Sequence, residues 1–297
     1  MAFATTSAAV AADTNGVDDV YVRDLLMNTT TRVSVRSDGA QSASPCGQPA
    51  INAEGRYVAF TAAGDDLVLT DANGFSDVLL HDLTTGQTVP ASVATGGAQG
   101  NGASDQPSIS RDGQRIAFVS AASNLVTGDT NSTSDVFVRD IPAGTTLRVS
   151  VDGNGAGGIG ACETPSISAD GRHVAFVTQA PLDTNDTVST RDVYVRSLLQ
   201  STTYWASQDT SGLVPNGEAL RPALNGPGRF VAFDSSATDL LASDANAGSD
   251  VFVRDLASDF PDAQVRPGTS AYMGASVIND DGADQSTERY APAGVTA

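Results

Sequence analysis

One short phrase recurs at an almost constant spacing, and it constrains the fold more than any other feature of the chain. The phrase is Gly-x-x-Val-Ala-Phe, with Ile for Val in one copy, at residues 55–60, 113–118, 171–176 and 228–233. Its copies begin 58, 58 and 57 residues apart, and Phe3 lies 57 residues before Phe60, so a shortened fifth copy opens the chain in mid-unit. A fixed period of this length predicts one repeat domain over most of the 297 residues.

Residues 107–151 illustrate one unit, which contains short β-branched and apolar runs separated by turn residues and has no helical periodicity. Asp112 and Gly113 lie between the first two runs and predict a tight hairpin, so these strands should be antiparallel neighbours. Val136, Phe137 and Val138 put apolar side chains on both faces of the third strand. Sheets that are apolar on both faces favour packing between copies of themselves around an axis. The predicted fold class is all-β, a β-propeller of four-stranded blades.

The motif Pro-x-Ile-Ser-x-Asp-Gly-Arg-x-Val-Ala-Phe at residues 165–176, followed by Asp-Val-Tyr-Val-Arg at 192–196, resembles the TolB-type WD40-like β-propeller repeat of bacterial envelope and secreted proteins. The resemblance covers roughly residues 1–260. It departs from the family in a longer middle loop and in lacking the Trp that often follows the Pro. The resemblance implies a periplasmic or extracellular protein with a non-catalytic role in interactions.

Two domain segments are expected. Residues 1–265 form the propeller, and the five visible copies fit either a five-bladed ring or part of a six-bladed one. Residues 266–297 are either a ring-closing strand, through residues 276–282, or the start of a truncated β-rich module. Both interpretations are open.

Charge narrows the range of partners. The chain has 16 basic and 35 acidic residues, a net charge of −19, and no lysine. The missing lysine excludes a Schiff-base mechanism, and the acidity argues against nucleic acid and anionic lipid. No run of 18 apolar residues occurs, so membrane insertion is not expected. A protein or glycan partner is expected, for a monomer or for part of a larger multidomain chain.

A loop of the form Asp-x-Asn-x-x-x-Asp precedes the third strand in four copies. Alternating Asp and Asn oxygens on a tight loop suit Ca²⁺, so the loops are candidate calcium sites, with no cofactor required for function. The alternative is a purely structural loop, with Asx-turns and a last Asp that accepts backbone N–H groups at the strand start. The fourth copy reads as Asp183, Asn185 and Asp186, with its later Asp192 displaced to nine residues, so any site there would differ. The candidate ligands are Asp13, Asn15, Asp19, Asp71, Asn73, Asp77, Asp129, Asn131, Asp135, Asp244, Asn246 and Asp250.

Other repeated positions favour structural roles. Arg23, Arg139, Arg196 and Arg254 recur on the third strand, where each is expected to lay its stem between blades and to pair with a carboxylate. The alternative is a ring of these arginines that binds an anion. Cys46 and Cys162 occupy one repeated small-residue position two blades apart, so two unpaired core cysteines are expected.

The residues that break the repeat are the ones to inspect for catalysis: Glu163, His173, Trp205, Asp209 and Glu218. His173 aligns with strand residues and is expected to pack. Glu163 and Glu218 are both expected to precede the inner strands of their blades and to reach the mouth of the central channel, where they could form a carboxylate pair. The sequence therefore predicts a non-catalytic module that binds a protein or glycan through its loops and channel mouth. The alternatives are a polysaccharide hydrolase or lyase, with Trp205 beside the carboxylates, and a purely structural element of a larger surface protein.

Overall fold

The structure is a computed structural model that describes residues 1–241, 244 and 248–257. These residues form strands, turns and loops, and the strands fall into five antiparallel sheets that follow one another along the chain, here called the first to fifth blades.

The first blade contains β1 (Ala2–Thr5), β2 (Asp19–Asp24) and β3 (Thr29–Arg32). The second contains β4 (Cys46–Ile51), β5 (Tyr57–Ala62), β6 (Asp77–Asp82) and β7 (Gln87–Pro90). The third contains β8 (Ser104–Ile109), β9 (Arg115–Ser120), β10 (Asp135–Asp140) and β11 (Thr145–Arg148). The fourth contains β12 (Cys162–Ile167), β13 (His173–Thr178), β14 (Asp192–Ser197) and β15 (Thr202–Trp205). The fifth contains β16 (Ala219–Leu224), β17 (Phe230–Ser235) and β18 (Asp250–Asp255).

Within a blade, each strand pairs with the next strand along the chain. The predicted hairpin joins β8 to β9, and the N–H of Gly113 donates to the carbonyl of Ser110 at 3.0 Å. Gly113 has φ 74°, which glycine adopts without strain. A Cβ at Gly113 would also lie 2.3 Å from the ring of Tyr57 in the second blade. The turn glycine is thus required both by the hairpin and by close packing between blades.

The core consists of layers between consecutive sheets. Phe118 and Phe137, on neighbouring strands, are fully buried and stack with ring centroids 5.8 Å apart. Val136 and Val138, on the opposite face of β10, are 0% and 4% exposed. Both faces of the strand are therefore covered, as the sequence predicted.

Consecutive blades are joined where each inner strand begins. The N–H of Cys162 donates to the carbonyl of Ser134 in the preceding blade at 2.9 Å. The same bond joins Cys46 to Asp18, Ser104 to Ser76 and Ala219 to Arg191. The extensive contacts between sheets in the described residues all link neighbours in chain order. The predicted fold class, a β-propeller of four-stranded blades, is confirmed.

The expectations for the two ends of the propeller can be compared with the structure only in part. The first blade begins at its second strand, as expected from the shortened first copy. A fourth strand of the fifth blade and the whole of residues 266–297 lie outside the described residues. The domain boundary at 265 and the choice between five and six blades therefore stay predictions.

A short arm follows each outer strand and packs on the next blade. In the second blade the arm is closed by an isolated bridge between Val93 and Gln99. The hydroxyl of Thr146 in the third blade donates to the carbonyl of Val93. Buried Arg139 donates to Thr146 at 3.1 Å and to the carbonyl of Ala94 at 3.3 Å.

Arg139, Arg196 and Arg254 therefore do reach the preceding blade. Arg23 instead bonds to Thr30 and Asn28 of its own blade. The carboxylate partner expected for Arg139 is wrong. Asp140, its neighbour, pairs instead with Arg115, whose Nε lies 3.1 Å away. Arg139 points into the space between blades, where burial lowers its pKa and where Thr146 and a carbonyl are within reach.

Among the described residues there is no helix of the length and apolarity needed to cross a membrane.

Candidate functional site

The Asp/Asn loops are built as Asx-turns. In the second blade, the side-chain oxygen of Asn73 accepts the N–H of Phe75 at 2.8 Å. The amide nitrogen of Asn73 donates to Asp77 at 2.9 Å and to the carbonyl of Gly100 at 3.3 Å. Asn15 and Asn131 make the same three bonds in the first and third blades. Both ends of each loop amide are thus occupied by the chain itself.

A serine from the arm fixes the last Asp of each loop. Ser150 donates from its hydroxyl to Asp135 at 2.6 Å and accepts the N–H of Val136 at 3.0 Å. The expected acceptor of the strand-start N–H was the Asp, and this detail is wrong because the serine lies between them. Equivalent pairs are Ser34 with Asp19, Ser92 with Asp77 and Ser207 with Asp192.

The last residue of each outer strand decides how the loop carboxylates are compensated. In the third blade, Nη1 of Arg148 lies 3.0 Å from Asp129 and 3.5 Å from Asp135. Arg32 takes this position in the first blade, beside Asp13 and Asp19 at 3.4 and 3.8 Å. The guanidinium thus occupies the place where a cation would meet both carboxylates.

The second and fourth blades differ at this position. Trp205 replaces the arginine in the fourth blade and donates from its indole N–H to Asp192 at 3.0 Å. Pro90 replaces it in the second blade and offers no donor. Burial and repulsion from Asp77 and Asp65 raise the pKa of Asp71 to about 6, although Gln99 donates to it at 2.6 Å.

The register of the fourth loop was misread from sequence. Asp186, six residues before Asp192, takes the place of the first loop Asp, and the hydroxyl of Tyr194 donates to it at 2.6 Å, as Tyr21 does to Asp13 in the first blade. Val188 stands where the other loops have Asn, and Thr190 supplies the missing bond to Asp192 at 2.9 Å.

The calcium ligands predicted in the first three blades therefore lie close together, and each loop Asn is bonded to the last Asp of its own loop. Within residues 1–241, 244 and 248–257, no group of three or more His, Cys, Asp or Glu residues is arranged to hold a metal ion. In the first and third blades the donor set does not fit a cation, because an arginine already lies against both carboxylates. Asn246 lies outside the described residues. Calcium binding stays a prediction.

The inner strands carry a second repeated device. Each has a β-bulge at the residue before its proline, and Gln48, Gln106, Thr164 and Arg221 adopt φ of 49–53° there. The side-chain oxygen of Gln48 accepts the N–H of Gln106 at 2.9 Å. Gln106 in turn accepts the N–H of Thr164 at 2.7 Å. We call these bonds the glutamine belt.

The belt stops at Thr164. Its shorter side chain makes no such bond to Arg221, and its buried hydroxyl oxygen has no hydrogen-bond partner among the described residues. Arg221 instead pairs with Asp234, Nε to Oδ1 at 2.7 Å.

A cleft of about 260 Å³ opens between the third and fourth blades beside this belt. Among its lining residues are Asp105 and Gln106 from β8, Ser134 before β10, Glu163 from β12 and Arg191 before β14. Within the described part of the chain, the carboxylate of Asp105 has neither a hydrogen bond nor an ion pair. Burial raises its pKa.

The predicted carboxylate pair does come together, but around an arginine. Nε of Arg191 lies 2.8 Å from Glu163, and Nη1 lies 3.6 Å from Glu218. Sequence analysis missed Asp105, Gln106 and Arg191. A signal existed for Arg191, because the equivalent position in other copies is Asp18, Ser76 or Ser134.

The other repeat-breaking residues have structural places. His173 is fully buried, and a Cβ on Gly228 would lie 2.4 Å from its ring, so the packing role predicted for it is confirmed. Trp205, 1% exposed, cannot be the exposed aromatic of a glycan site, so that expectation is wrong. Asp209 closes the arm of the fourth blade by accepting the N–H of Leu213 at 2.8 Å.

Both cysteines are unpaired and buried, as predicted. Burial raises the pKa of Cys46 and of Cys162 to about 12. Neither thiol is therefore a ready nucleophile near neutral pH.

No protein-family model and no curated protein matches the sequence. Similar solved structures include TolB from Acinetobacter baumannii, with 17% identity and a TM-score of 0.48 over 86% of this chain and 49% of that chain. An oligogalacturonate lyase from Vibrio parahaemolyticus has 12% identity and a TM-score of 0.50 over 83% of this chain and 58% of that chain. An oligogalacturonate lyase described as in complex with manganese has 15% identity and a TM-score of 0.49 over 81% of this chain and 57% of that chain.

This chain thus spans about half of the TolB chain and less than two thirds of each lyase chain. At these identities the similarity is one of fold. The β-propeller fold that the repeat motif indicated is confirmed by the sheet topology and agrees with this similarity.

Proposed function

We propose that this protein is a non-catalytic interaction module of the bacterial envelope or extracellular space, and that a partner protein docks at the cleft between the third and fourth blades. The observation that carries the proposal is the cleft itself, which is lined by hydrogen-bonding side chains and contains a carboxylate with no partner in the described chain. The location rests on the TolB-type repeat motif.

The distribution of reactive side chains supports a binding role. The chain has two His and two Cys residues and no Lys. His81, His173, Cys46 and Cys162 are at most 4% exposed. The histidines and Cys46 are therefore shielded from ligands, and Cys162, which lines the cleft, has its pKa raised to about 12 by burial.

A protein partner is favoured over a glycan. Sugar rings bind with their apolar faces against exposed aromatic rings, and no aromatic residue is among those lining the cleft. Trp205, the only tryptophan of the chain, is buried against Asp192. A polar cleft of this size instead suits a side chain or loop of a protein.

The alternative, a polysaccharide hydrolase or lyase, is favoured by the approach of Glu163 to Glu218. A single guanidinium contacts both carboxylates, so the chain's own side chain fills the space that a glycosidic bond would need. The likeness to lyases concerns fold and carries no activity.

Peptide display tests the proposal. A random peptide library is selected on the wild-type protein and counter-selected on Ser134→Arg, a variant in which a long side chain fills the cleft. Peptides that bind the wild type but not the Ser134→Arg variant are expected. Equal binding to both proteins would contradict the docking site. Turnover of oligogalacturonate or other oligosaccharides, abolished by Glu163→Gln and Glu218→Gln, would support the enzyme instead.

A further inference from the structure

The fourth blade contains an ion pair between a carboxylate and an arginine that has no counterpart in the third blade. Glu163 on β12 is paired with Arg191, which directly precedes β14. Asp105 occupies the position of Glu163 in the third blade, as their pairing with Val119 and Val177 shows. The residue that directly precedes β10 is Ser134.

The two backbone positions are equivalent. The carbonyl of Arg191 accepts the N–H of Ala219 at 2.8 Å, and that of Ser134 accepts the N–H of Cys162 at 2.9 Å. The third blade thus has the carboxylate of this arrangement without its arginine, and the cleft of about 260 Å³ lies beside the short serine side chain.

The charges around the cleft are unbalanced. Asp105, Glu163 and Glu218 carry three negative charges near it, and Arg191 supplies one positive charge. A half-buried carboxylate with no partner is poorly solvated, so a cation placed against it gains more than it would at an open surface.

We propose that the cleft binds the guanidinium group of an arginine side chain presented by the partner, with Asp105 as its acceptor. The inference rests on the proposed function and specifies its chemistry. A guanidinium can donate two parallel N–H bonds to one carboxylate. In the fourth blade, Arg191 already pairs with Glu163 through its Nε. Gln106 and Ser134 line the same cleft and offer polar atoms to the rest of the ligand.

The test uses N-acetyl-arginine amide as the probe and N-acetyl-citrulline amide, which has nearly the same shape and no charge, as its control. Binding to the full chain is followed by calorimetry at low ionic strength. The arginine probe should bind at least fivefold more tightly than the citrulline probe. Asp105→Asn should remove most of this difference, and Ser134→Arg should abolish binding of both probes.

Glu54→Gln is the matched control, since it removes one negative charge from an exposed hairpin turn of the second blade. Its affinity for the arginine probe should equal that of the wild type. Thermal melting establishes that each variant is folded. Ser134→Arg is expected to fold because the equivalent position already carries Arg191.

Equal affinity for the two probes, or an unchanged preference in Asp105→Asn, would overturn the inference. If display peptides depend on the cleft but contain no arginine, the docking site stands and the guanidinium assignment fails. If no peptide depends on the cleft, the proposed function itself fails.

Discussion

The side-chain oxygen of Gln106 accepts the backbone N–H of Thr164 at 2.7 Å, which fastens the third blade to the fourth through a glutamine. Gln48 makes the same bond to Gln106 one blade earlier. Thr164 is the next residue in this series, and its hydroxyl does not continue the glutamine belt.

Thr164→Gln should therefore stabilise the protein by about 1 kcal/mol, the usual net value of one hydrogen bond. The longer side chain can reach the N–H of Arg221 and extend the belt to the fifth blade. Chemical denaturation measures the change. Gln48→Leu removes an existing bond of the belt and the bond that the Thr61 hydroxyl donates to the same oxygen, so it should cost at least as much. A destabilised Thr164→Gln would contradict the equivalence of these positions.

Arg148→Ala should be strongly destabilising, by about 3 kcal/mol, because it leaves Asp129 and Asp135 as buried charges without a cation. Their side chains are 3% and 1% exposed. The control is Arg36→Ala, since Arg36 pairs with Asp38 on the surface, and it should leave the melting temperature unchanged. Similar effects of the two substitutions would show that the loop carboxylates do not depend on the arginine.

Asp71 predicts a pH dependence of stability. Its folded-state pKa of about 6 lies above the ordinary value of 3.8. A carboxyl group with a raised pKa favours the folded state below the unfolded pKa, and this contribution is lost as the pH rises through the folded pKa. The contribution of Asp71 to the melting temperature should thus decline between about pH 4 and pH 6.

Asp71→Asn removes that titration, so the difference in melting temperature between wild type and variant should change across this window and be constant above about pH 7. The comparison is needed because burial also raises the pKa of Asp105, Asp135 and Asp192. A constant difference from pH 4 to pH 7 would contradict the raised pKa of Asp71.

How far the sequence predicts this structure depends on the range of the interaction. The hairpin at Gly113 and the apolar faces of β10 follow from neighbouring residues, and both were predicted. The register of the fourth loop was missed because the pattern was anchored on Asn, and Val188 replaces that residue. The sequence did not reveal that Arg148 compensates the loop carboxylates, or that Pro90 cannot do so. The last residue of an outer strand is expected to be exposed to solvent unless the loop is known to fold over it.

The cleft was missed for a related reason. Asp105 and Arg191 are 86 positions apart in the sequence and meet only when two blades pack. Glu163 and Glu218 were noticed as breaks in the repeat, but their shared arginine could not be inferred from spacing. The repeated residues predict the structure of one blade, whereas the cleft between two blades depends on residues that differ from copy to copy.

The calcium prediction is tested by removing divalent cations with a chelator, and we expect no change in melting temperature to arise from the loops of the first, third and fourth blades. Arginine supplies the positive charge in the loops of the first and third blades, and tryptophan supplies a donor in the fourth. Differential scanning calorimetry with and without added Ca²⁺ measures this directly. A rise in melting temperature with Ca²⁺ that a chelator reverses would support the calcium sites predicted from the sequence.

Hydrogen exchange of the protein bound to a display-selected peptide tests the docking site most directly. The predicted result is slower exchange at residues 104–109, at residue 134 and at residues 160–167, with no change elsewhere. The strongest competing surface is the apolar hairpin turn of Leu25, Leu26 and Met27, which are 76%, 92% and 70% exposed. Protection of that turn, with the segments around the cleft unchanged, would contradict docking between the third and fourth blades.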